Sequence, residues 1–91
     1  MSLEEAEKLL TEIDPAWQLH EKKLERDLKF KNFREVMVFV NKVADIAEEE
    51  GHHPDMQIGY NRVKIELTTH AVHGLSENDF ILAAKIDRLL P

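Results

Sequence analysis

The stretch NFREVMVFVNKVADIAEEEGHHP, residues 32–54, carries the longest regular pattern in the chain. Asn32 followed three residues later by Glu35 is typical of a helix start, because the Asn side chain can accept from a free backbone N–H. Apolar residues then recur at helical spacing, at Phe33, Val36, Met37, Val40, Val43, Ala44 and Ala47. Gly51 can adopt the positive φ that ends many helices. The pattern therefore predicts one long amphipathic helix that ends at Glu50.

Three elements are predicted upstream of this helix. Ser2 begins a capping box, S-L-E-E, so we expect a first amphipathic helix that runs until Asp14-Pro15 stops it. From Lys23 to Lys31 the residues alternate with a period of two, which predicts a half-buried strand. A short strand around Trp17 to His20 would pair with it. One face of the longer strand would hold Leu24, Arg26, Leu28 and Phe30.

Three more elements are predicted downstream. Residues 56–58 favour a short strand, and the alternation from Val63 to His70 favours a clearer one. Ser76 caps a third helix to about Leu89, and Asp79 lies three positions after the cap. The apolar residues of this helix cover more than one stripe, which predicts a subunit interface. A helix buried deeply within a monomer is the alternative.

The order of these elements is helix, strand, strand, helix, strand, strand, helix. Strands that alternate bury only one side of a sheet, so the helices are expected to cover that side. We therefore predict an α+β fold, with one antiparallel sheet of about four strands and three helices packed on one face. Residues 1–91 contain no linker or low-complexity tract and are expected to form a single domain.

Composition narrows the classes of function. A formal charge of −6 argues against a nucleic-acid partner, since phosphate binding needs clustered Lys and Arg. Apolar residues make up 43% of the chain and charged residues 33%, with no uncharged segment long enough to span a membrane. There is no cysteine for a disulfide or a thiolate metal site. The charged start MSLEEAEKLL is not typical of a secretory signal, so a cytoplasmic location is expected.

The end of the long helix carries an unusual set of charges. Three carboxylates, Glu48 to Glu50, lie near the negative end of the helix dipole, where each costs about 0.3–1 kcal/mol when exposed. They precede His52 and His53, and Pro54 restricts His53 to an extended conformation. We expect either that the carboxylates favour the imidazolium form of these histidines, or that they are simply a solvated helix end.

Two chemistries could use these histidines. Zinc could take His52, His53, His70 and Asp79, although adjacent histidines seldom bind one ion and no H-E-x-x-H spacing is present. General acid–base catalysis needs groups that titrate near neutral pH, and imidazole is the side chain suited to this. His70 would end a strand on the parity opposite to its apolar residues, so a packed core histidine is not expected.

An ordered set of residues then carries a family resemblance. Glu48 is followed after three residues by His52-His53-Pro54, then by Tyr60 after five, His70 after nine and Asp79 after eight. This set resembles the motif of the pterin-4a-carbinolamine dehydratases. Segments outside the motif are also similar, including L-E-R-D-L-K-F-K-N-F and G-L-S-E-N-D-F-I-L-A-A-K-I. The likeness covers about residues 17–89.

The resemblance implies an α+β fold and removal of water from a 4a-hydroxytetrahydropterin, with no metal and no organic cofactor. It implies that His52 and His53 are the acid–base pair, that His70 binds and polarises the substrate, and that Glu48 orients a histidine. Asp79 would support the site or only cap its helix, and the cap is favoured. Further substrate-binding residues would be Gly51, Pro54, Thr68, Thr69 and Ala71. The family also implies self-association as a dimer or tetramer, and a non-catalytic dimerisation module is the alternative function.

Overall fold

A computed structural model describes residues 1–90 and shows three helices and four strands. The elements are α1 Leu3–Leu10, β1 Gln18–His20, β2 Lys23–Lys29, α2 Phe33–Glu50, β3 Asp55–Ile58, β4 Arg62–Leu67 and α3 Glu77–Asp87. The strands form one antiparallel sheet in the order β1-β2-β4-β3. The predicted α+β class and element order are therefore confirmed. Within residues 1–90, no helix combines the length and hydrophobicity needed to cross a membrane.

The helix starts follow the predicted caps. The Ser2 hydroxyl accepts from the Glu5 N–H, and the Ser2 N–H donates to the Glu5 carboxylate, both at 3.1 Å. The predicted stop of α1 at Asp14-Pro15 is wrong, since the helix ends at Leu10. The Thr11 hydroxyl donates to a carbonyl of the last turn at 2.6 Å. Such local bonds compete with continuation of a helix.

The long helix α2 has the predicted boundaries. The Asn32 side chain accepts from the Glu35 N–H at 2.9 Å, which satisfies a donor of the first turn. At the other end Gly51 adopts φ 62°. The N–H groups of Gly51 and His52 donate to the carbonyls of Glu48 and Ala47 at 3.3 and 3.1 Å. This is a Schellman motif, and it turns the chain sharply just before the histidines.

The core lies between one face of the sheet and the helices. Leu24 of β2 faces Leu67 of β4, and Leu28 faces Val63 in the same register. The completely buried apolar side chains of the sheet and helices are Leu24, Val36, Val43, Val63, Ile65, Leu67, Leu82 and Ile86, together with Ala83. Because these residues come from β2, β4, α2 and α3, the apolar face of each element is buried against the others.

Helix α3 buries more than one stripe within a single chain. Phe80, Leu82, Ala83 and Ile86 are buried, whereas Ile81 is exposed. Its broad apolar surface is thus explained by the core of one chain, which is the alternative that the sequence allowed. The breadth of this apolar surface therefore does not by itself require a subunit interface, and self-association stays a prediction.

The inner face of β2 contains a buried cation, as the alternation predicted. Arg26 is 8% exposed, and its guanidinium is 2.5 Å from Asp87 Oδ1 at the end of α3. The same oxygen accepts from the indole N–H of Trp17 at 2.7 Å, and the guanidinium lies 5.9 Å from the Trp17 ring centroid. The other Asp87 oxygen accepts from the Asp14 N–H at 3.1 Å. This group, the Arg26–Asp87 cluster, ties α3 to the segment between α1 and β1.

The predicted extension of the last strand to His70 is wrong. Strand β4 ends at Leu67, and a single 3₁₀ turn spans His70–Val72. Thr69 and Gly74 form an isolated antiparallel bridge, with N–H···O distances of 2.8 and 3.3 Å. Because this bridge closes a small loop, the chain reverses immediately after Thr69 and cannot continue as a strand. His70 therefore lies on a loop.

Candidate active site

One cleft lies between the end of α2 and the loop after β4. It has a volume of about 220 Å³ and is lined by Gly51, His52, His53, Thr68, Thr69 and His70. The three histidines singled out from the sequence thus border the same space, although His70 is 17 residues beyond His53. The antiparallel pairing of β3 with β4 brings them together, since β3 begins where β4 ends.

His52 is supported by a buried carboxylate. Its Nε2 atom lies 2.5 Å from Oδ1 of Asp79, and the exposed fractions of the two side chains are 16% and 0%. The other oxygen, Oδ2, accepts from the Thr69 hydroxyl at 2.8 Å and from the Ser76 N–H at 2.9 Å. Three donors therefore satisfy Asp79, as a buried charge requires. Asp79 caps α3 and also holds His52, so the favoured view of it as a cap alone was incomplete.

His53 is supported by an exposed carboxylate. Its Nε2 atom lies 2.5 Å from Oε2 of Glu48, which is in the last turn of α2. The side chains are 63% and 76% exposed. Solvent screens such a pair strongly, so it holds its ring far less firmly than Asp79 holds His52. The two adjacent histidines thus differ in burial and in the rigidity of their supports.

The supports also determine which ring nitrogen carries the proton. An ionised carboxylate can only accept a hydrogen bond, so Nε2 is the protonated nitrogen of both His52 and His53. The remaining nitrogen, Nδ1, accepts a proton in the neutral ring and donates one in the imidazolium ring. Each histidine therefore retains one nitrogen that can take part in proton transfer.

The three carboxylates at the end of α2 have separate surroundings. Glu48 contacts His53, and Glu50 forms an ion pair with Lys85 of α3, while Glu49 is exposed. The Lys85 ammonium also places positive charge near the C-terminus of α2, where the helix dipole favours it. The three carboxylates therefore differ in role: Glu48 is a candidate site residue, Glu50 joins α2 to α3, and Glu49 is solvated.

The four side chains that were considered for zinc do not form one group of metal ligands. His52 and His53 bind different carboxylates through the same type of ring nitrogen. Among residues 1–90, no three side chains from His, Asp and Glu are grouped so that they could hold a metal ion. The geometry therefore gives the zinc hypothesis no support.

Of the other predicted substrate-binding residues, some line the cleft and some do not. Thr68 lines the cleft, and its hydroxyl donates to the Lys22 carbonyl at 2.9 Å. Ala71 lies in the 3₁₀ turn and Pro54 directly precedes β3, and neither belongs to the lining. The contact of the Thr69 hydroxyl with Asp79 was not predicted. The spacing of Ser76 and Asp79 indicated the cap, but no spacing in the sequence indicates a partner for Thr69.

The chain is thus a small α+β protein in which carboxylates support two imidazoles beside a cleft, where β3 begins and β4 ends. Residues 1–89 match the sequence model of the family described as Pterin 4 alpha carbinolamine dehydratase. The chain belongs to this family.

Relatives in sequence agree with this family assignment. A protein of Nitrosomonas eutropha named "Putative pterin-4-alpha-carbinolamine dehydratase" is 54% identical over 87 residues, which cover 96% of this chain and 77% of that protein. A protein of Methylococcus capsulatus with the same name is 48% identical, with coverage of 98% and 79%.

Two solved structures share the fold. A transcriptional coactivator/pterin dehydratase from Brucella melitensis superposes with a TM-score of 0.94 at 31% identity, covering 100% of this chain and 98% of that one. A pterin dehydratase-like protein identified as a RuBisCO assembly factor in the alpha-carboxysome gives a TM-score of 0.66 at 26% identity, with coverage of 80% and 84%.

Proposed function

We propose that this protein is a 4a-hydroxytetrahydrobiopterin dehydratase, which converts a 4a-hydroxytetrahydropterin into quinonoid dihydropterin and water. The observation that carries the proposal is the arrangement of His52, His53 and His70 around one cleft, with carboxylates behind the first two. Membership of the family supports the substrate class. The reaction as proposed needs no metal and no organic cofactor.

The reaction requires two proton transfers. Hydroxide is a poor leaving group, so the hydroxyl on C4a takes a proton from an imidazolium and leaves as water when the C4a–O bond breaks. The N5–H bond gives its electron pair to the new C4a=N5 bond, and its proton passes to a neutral imidazole. One histidine thus loses a proton and another gains one, so a proton exchange with solvent restores the site.

The geometry supports distinct roles for the imidazoles. His52 and His53 act through Nδ1, because their Nε2 atoms are engaged with Asp79 and Glu48. His70 lies on the opposite wall of the cleft, on the 3₁₀ turn, and binds and polarises the pterin. Asp79 and Glu48 orient their histidines, and the buried pair forms the more rigid half of the site.

The size of the cleft supports a shallow mode of binding. Its 220 Å³ lies below the roughly 300–1,000 Å³ typical of pockets that enclose a drug-sized ligand. The reacting edge of the bicyclic ring would enter between the histidines, and the substituent of the pterin would stay in solvent. We therefore expect the protein to tolerate pterins with different side chains.

A coupled assay tests the proposal. A pterin-dependent hydroxylase generates the 4a-hydroxypterin, and its dehydration is followed by absorbance with and without this protein. We expect acceleration by the wild type and a loss of roughly 10²–10⁴-fold in His52→Ala or His53→Ala. His20, exposed on β1 and outside the cleft, provides the control variant His20→Ala. An inert wild type, or equal rates for all variants, would refute the proposal.

A non-catalytic interaction module is the second candidate function. An apolar groove of about 390 Å³ is lined by Phe30, Val38, Phe39, Leu89 and Leu90 among others. The structural relative named as a RuBisCO assembly factor shows that a related fold occurs in an assembly protein. A pull-down that recovers only further copies of this chain would count against this candidate. Sedimentation of the wild type and Val38→Asp would measure self-association directly.

A further inference from the structure

Thr69 occupies a junction between the two walls of the cleft. Its backbone is fixed by the bridge to Gly74, with N–H···O distances of 2.8 and 3.3 Å. Its hydroxyl oxygen lies 2.8 Å from Oδ2 of Asp79 and 2.8 Å from Oγ of Ser76. The next residue is His70. One side chain thus joins the loop that carries His70 to the carboxylate that holds His52.

The number of available protons sets the direction of these hydrogen bonds. A hydroxyl has one proton, and an ionised carboxylate has none to give. The Thr69 hydroxyl therefore donates to Asp79, and the Ser76 hydroxyl donates to Thr69. Both hydrogen bonds, from Ser76 to Thr69 and from Thr69 to Asp79, are donated in the direction of Asp79, and hydrogen bonds aligned in this way polarise one another.

The same bonds fix the orientation of the carboxylate. Oδ2 of Asp79 is held by the Thr69 hydroxyl and the Ser76 N–H, so Oδ1 is the oxygen presented to His52. Rotation of the carboxylate would break two bonds at Oδ2 in a fully buried environment, where unpaired polar groups are costly. The direction of the Nε2–H bond of His52 therefore depends on both bonds at Oδ2, one of which comes from Thr69.

We propose that Thr69 is a positioning residue, whose hydroxyl fixes the orientation and the Nε2–H tautomer of His52 through Asp79. Its effect on turnover rests on the proposed dehydratase function, whereas its effect on the His52 ring does not. Thr69→Val keeps the shape of the side chain but removes its hydroxyl. Asp79 then loses a donor and Ser76 loses an acceptor. We expect kcat to fall roughly 10- to 100-fold, by analogy with the loss of a hydrogen bond to a charged group, with a smaller change in KM.

The experiment combines kinetics with ¹⁵N NMR of the histidine rings. In the wild type the His52 nitrogen shifts should report the Nε2–H tautomer, and in Thr69→Val they should move toward a mixture of tautomers. Thr69→Ser retains the hydroxyl and should restore both kcat and the shifts. Thr11→Val is the control, because it removes an exposed threonine hydroxyl that bonds only within the end of α1.

The outcomes separate the two proposals. If the wild type does not dehydrate a 4a-hydroxypterin, the proposed function fails, but the NMR comparison still tests Thr69. Thr69→Val with the kcat and the His52 shifts of the wild type would overturn the positioning role, as would a Thr69→Ser variant equally impaired. Should Thr69→Val fail to fold, Thr69→Ser is compared with Thr69→Cys, which differs in one atom and has a weaker donor. Equal His52 shifts in those two variants would also overturn it.

Discussion

The substitution Asp87→Ala should destabilise the protein by about 3–5 kcal/mol, the usual cost of removing one partner from a buried ion pair. Asp87 accepts from the Arg26 guanidinium at 2.5 Å, from the Trp17 indole at 2.7 Å and from the Asp14 N–H at 3.1 Å. Arg26 is 8% exposed and would keep its charge after the substitution. A buried cation would then lack its main partner.

The structure favours the lower part of that range. The Asp14 carboxylate lies 3.8 Å from the Arg26 guanidinium and is partly exposed, so it offsets some of the lost interaction. A loss of about 3 kcal/mol is nevertheless a large share of the roughly 5–14 kcal/mol expected for a domain of 91 residues. It corresponds to a decrease in Tm of about 12–24 °C.

Urea denaturation followed by far-UV circular dichroism measures this loss. We expect a lower midpoint with an unchanged m value, because the surface exposed on unfolding stays nearly the same. Asp27→Ala is the matched control, since Asp27 pairs with Arg62 at 3.8 Å and both side chains are more than 60% exposed. That control should change the free energy of unfolding by less than about 1 kcal/mol.

A cost for Asp87→Ala within 1 kcal/mol of the control would contradict this prediction, because it would mean that Arg26 finds water or another partner at no penalty. A second variant tests whether the cost comes from leaving the Arg26 charge without a partner. The double substitution Arg26→Met with Asp87→Leu removes both charges and should recover part of the stability, since apolar replacements of a buried ion pair are often neutral or stabilising. Recovery should be incomplete, because the Trp17 indole N–H and the Asp14 N–H still lose their acceptor.

Three further predictions concern the site and the helix ends. Asp79→Asn replaces a carboxylate oxygen with an NH2 group, so one of the donors that now bond to Asp79 loses its acceptor. His52 should then lose its fixed tautomer, and kcat should fall on the order of 10²–10⁴-fold in the dehydration assay; an unchanged kcat would contradict this. Gly51→Ala should cost about 1–2 kcal/mol in urea denaturation, because φ is 62° and no atom lies within 4 Å of the added methyl group, so only backbone strain acts; a neutral result would exclude that strain. Hydrogen bonds from the Ser2 backbone and hydroxyl hold the pKa of Glu5 below its ordinary 4.5. The contribution of this pair is therefore present above that value and is lost as the pH falls through the lowered pKa, so the hydrogen-exchange protection of α1, measured relative to the intrinsic rate at each pH, should decrease over that interval in the wild type and not in Glu5→Gln.

Most of the fold could be predicted because its signals are local. The cap at Asn32 and the positive φ at Gly51 depend on backbone within a few residues, and the alternation in β2 and β4 depends on which face is buried. The predictions failed where a competing contact ended an element early. The Thr11 hydroxyl bond accompanies the end of α1, and the bridge between Thr69 and Gly74 stops β4 before His70.

The candidate site could be predicted only in part. The family motif in the sequence identified the three histidines and their two carboxylates. It did not identify the hydroxyl of Thr69 as a partner of Asp79, because the two residues are ten positions apart on different elements. For the same reason the prediction for Asp79 favoured the cap over support of the site: the cap is a contact over three residues, whereas His52 is 27 residues away.

The sequence predicted the order of the helices and strands, which residues form their apolar faces, and which imidazoles are candidates for proton transfer. Tertiary structure alone decided how rigidly each imidazole is held, which ring nitrogen is free, and that Arg26 meets Asp87 across 61 residues. This difference arises because capping and periodicity act over about one helical turn or a few strand residues, whereas burial and hydrogen-bond partners depend on every element that packs around a group.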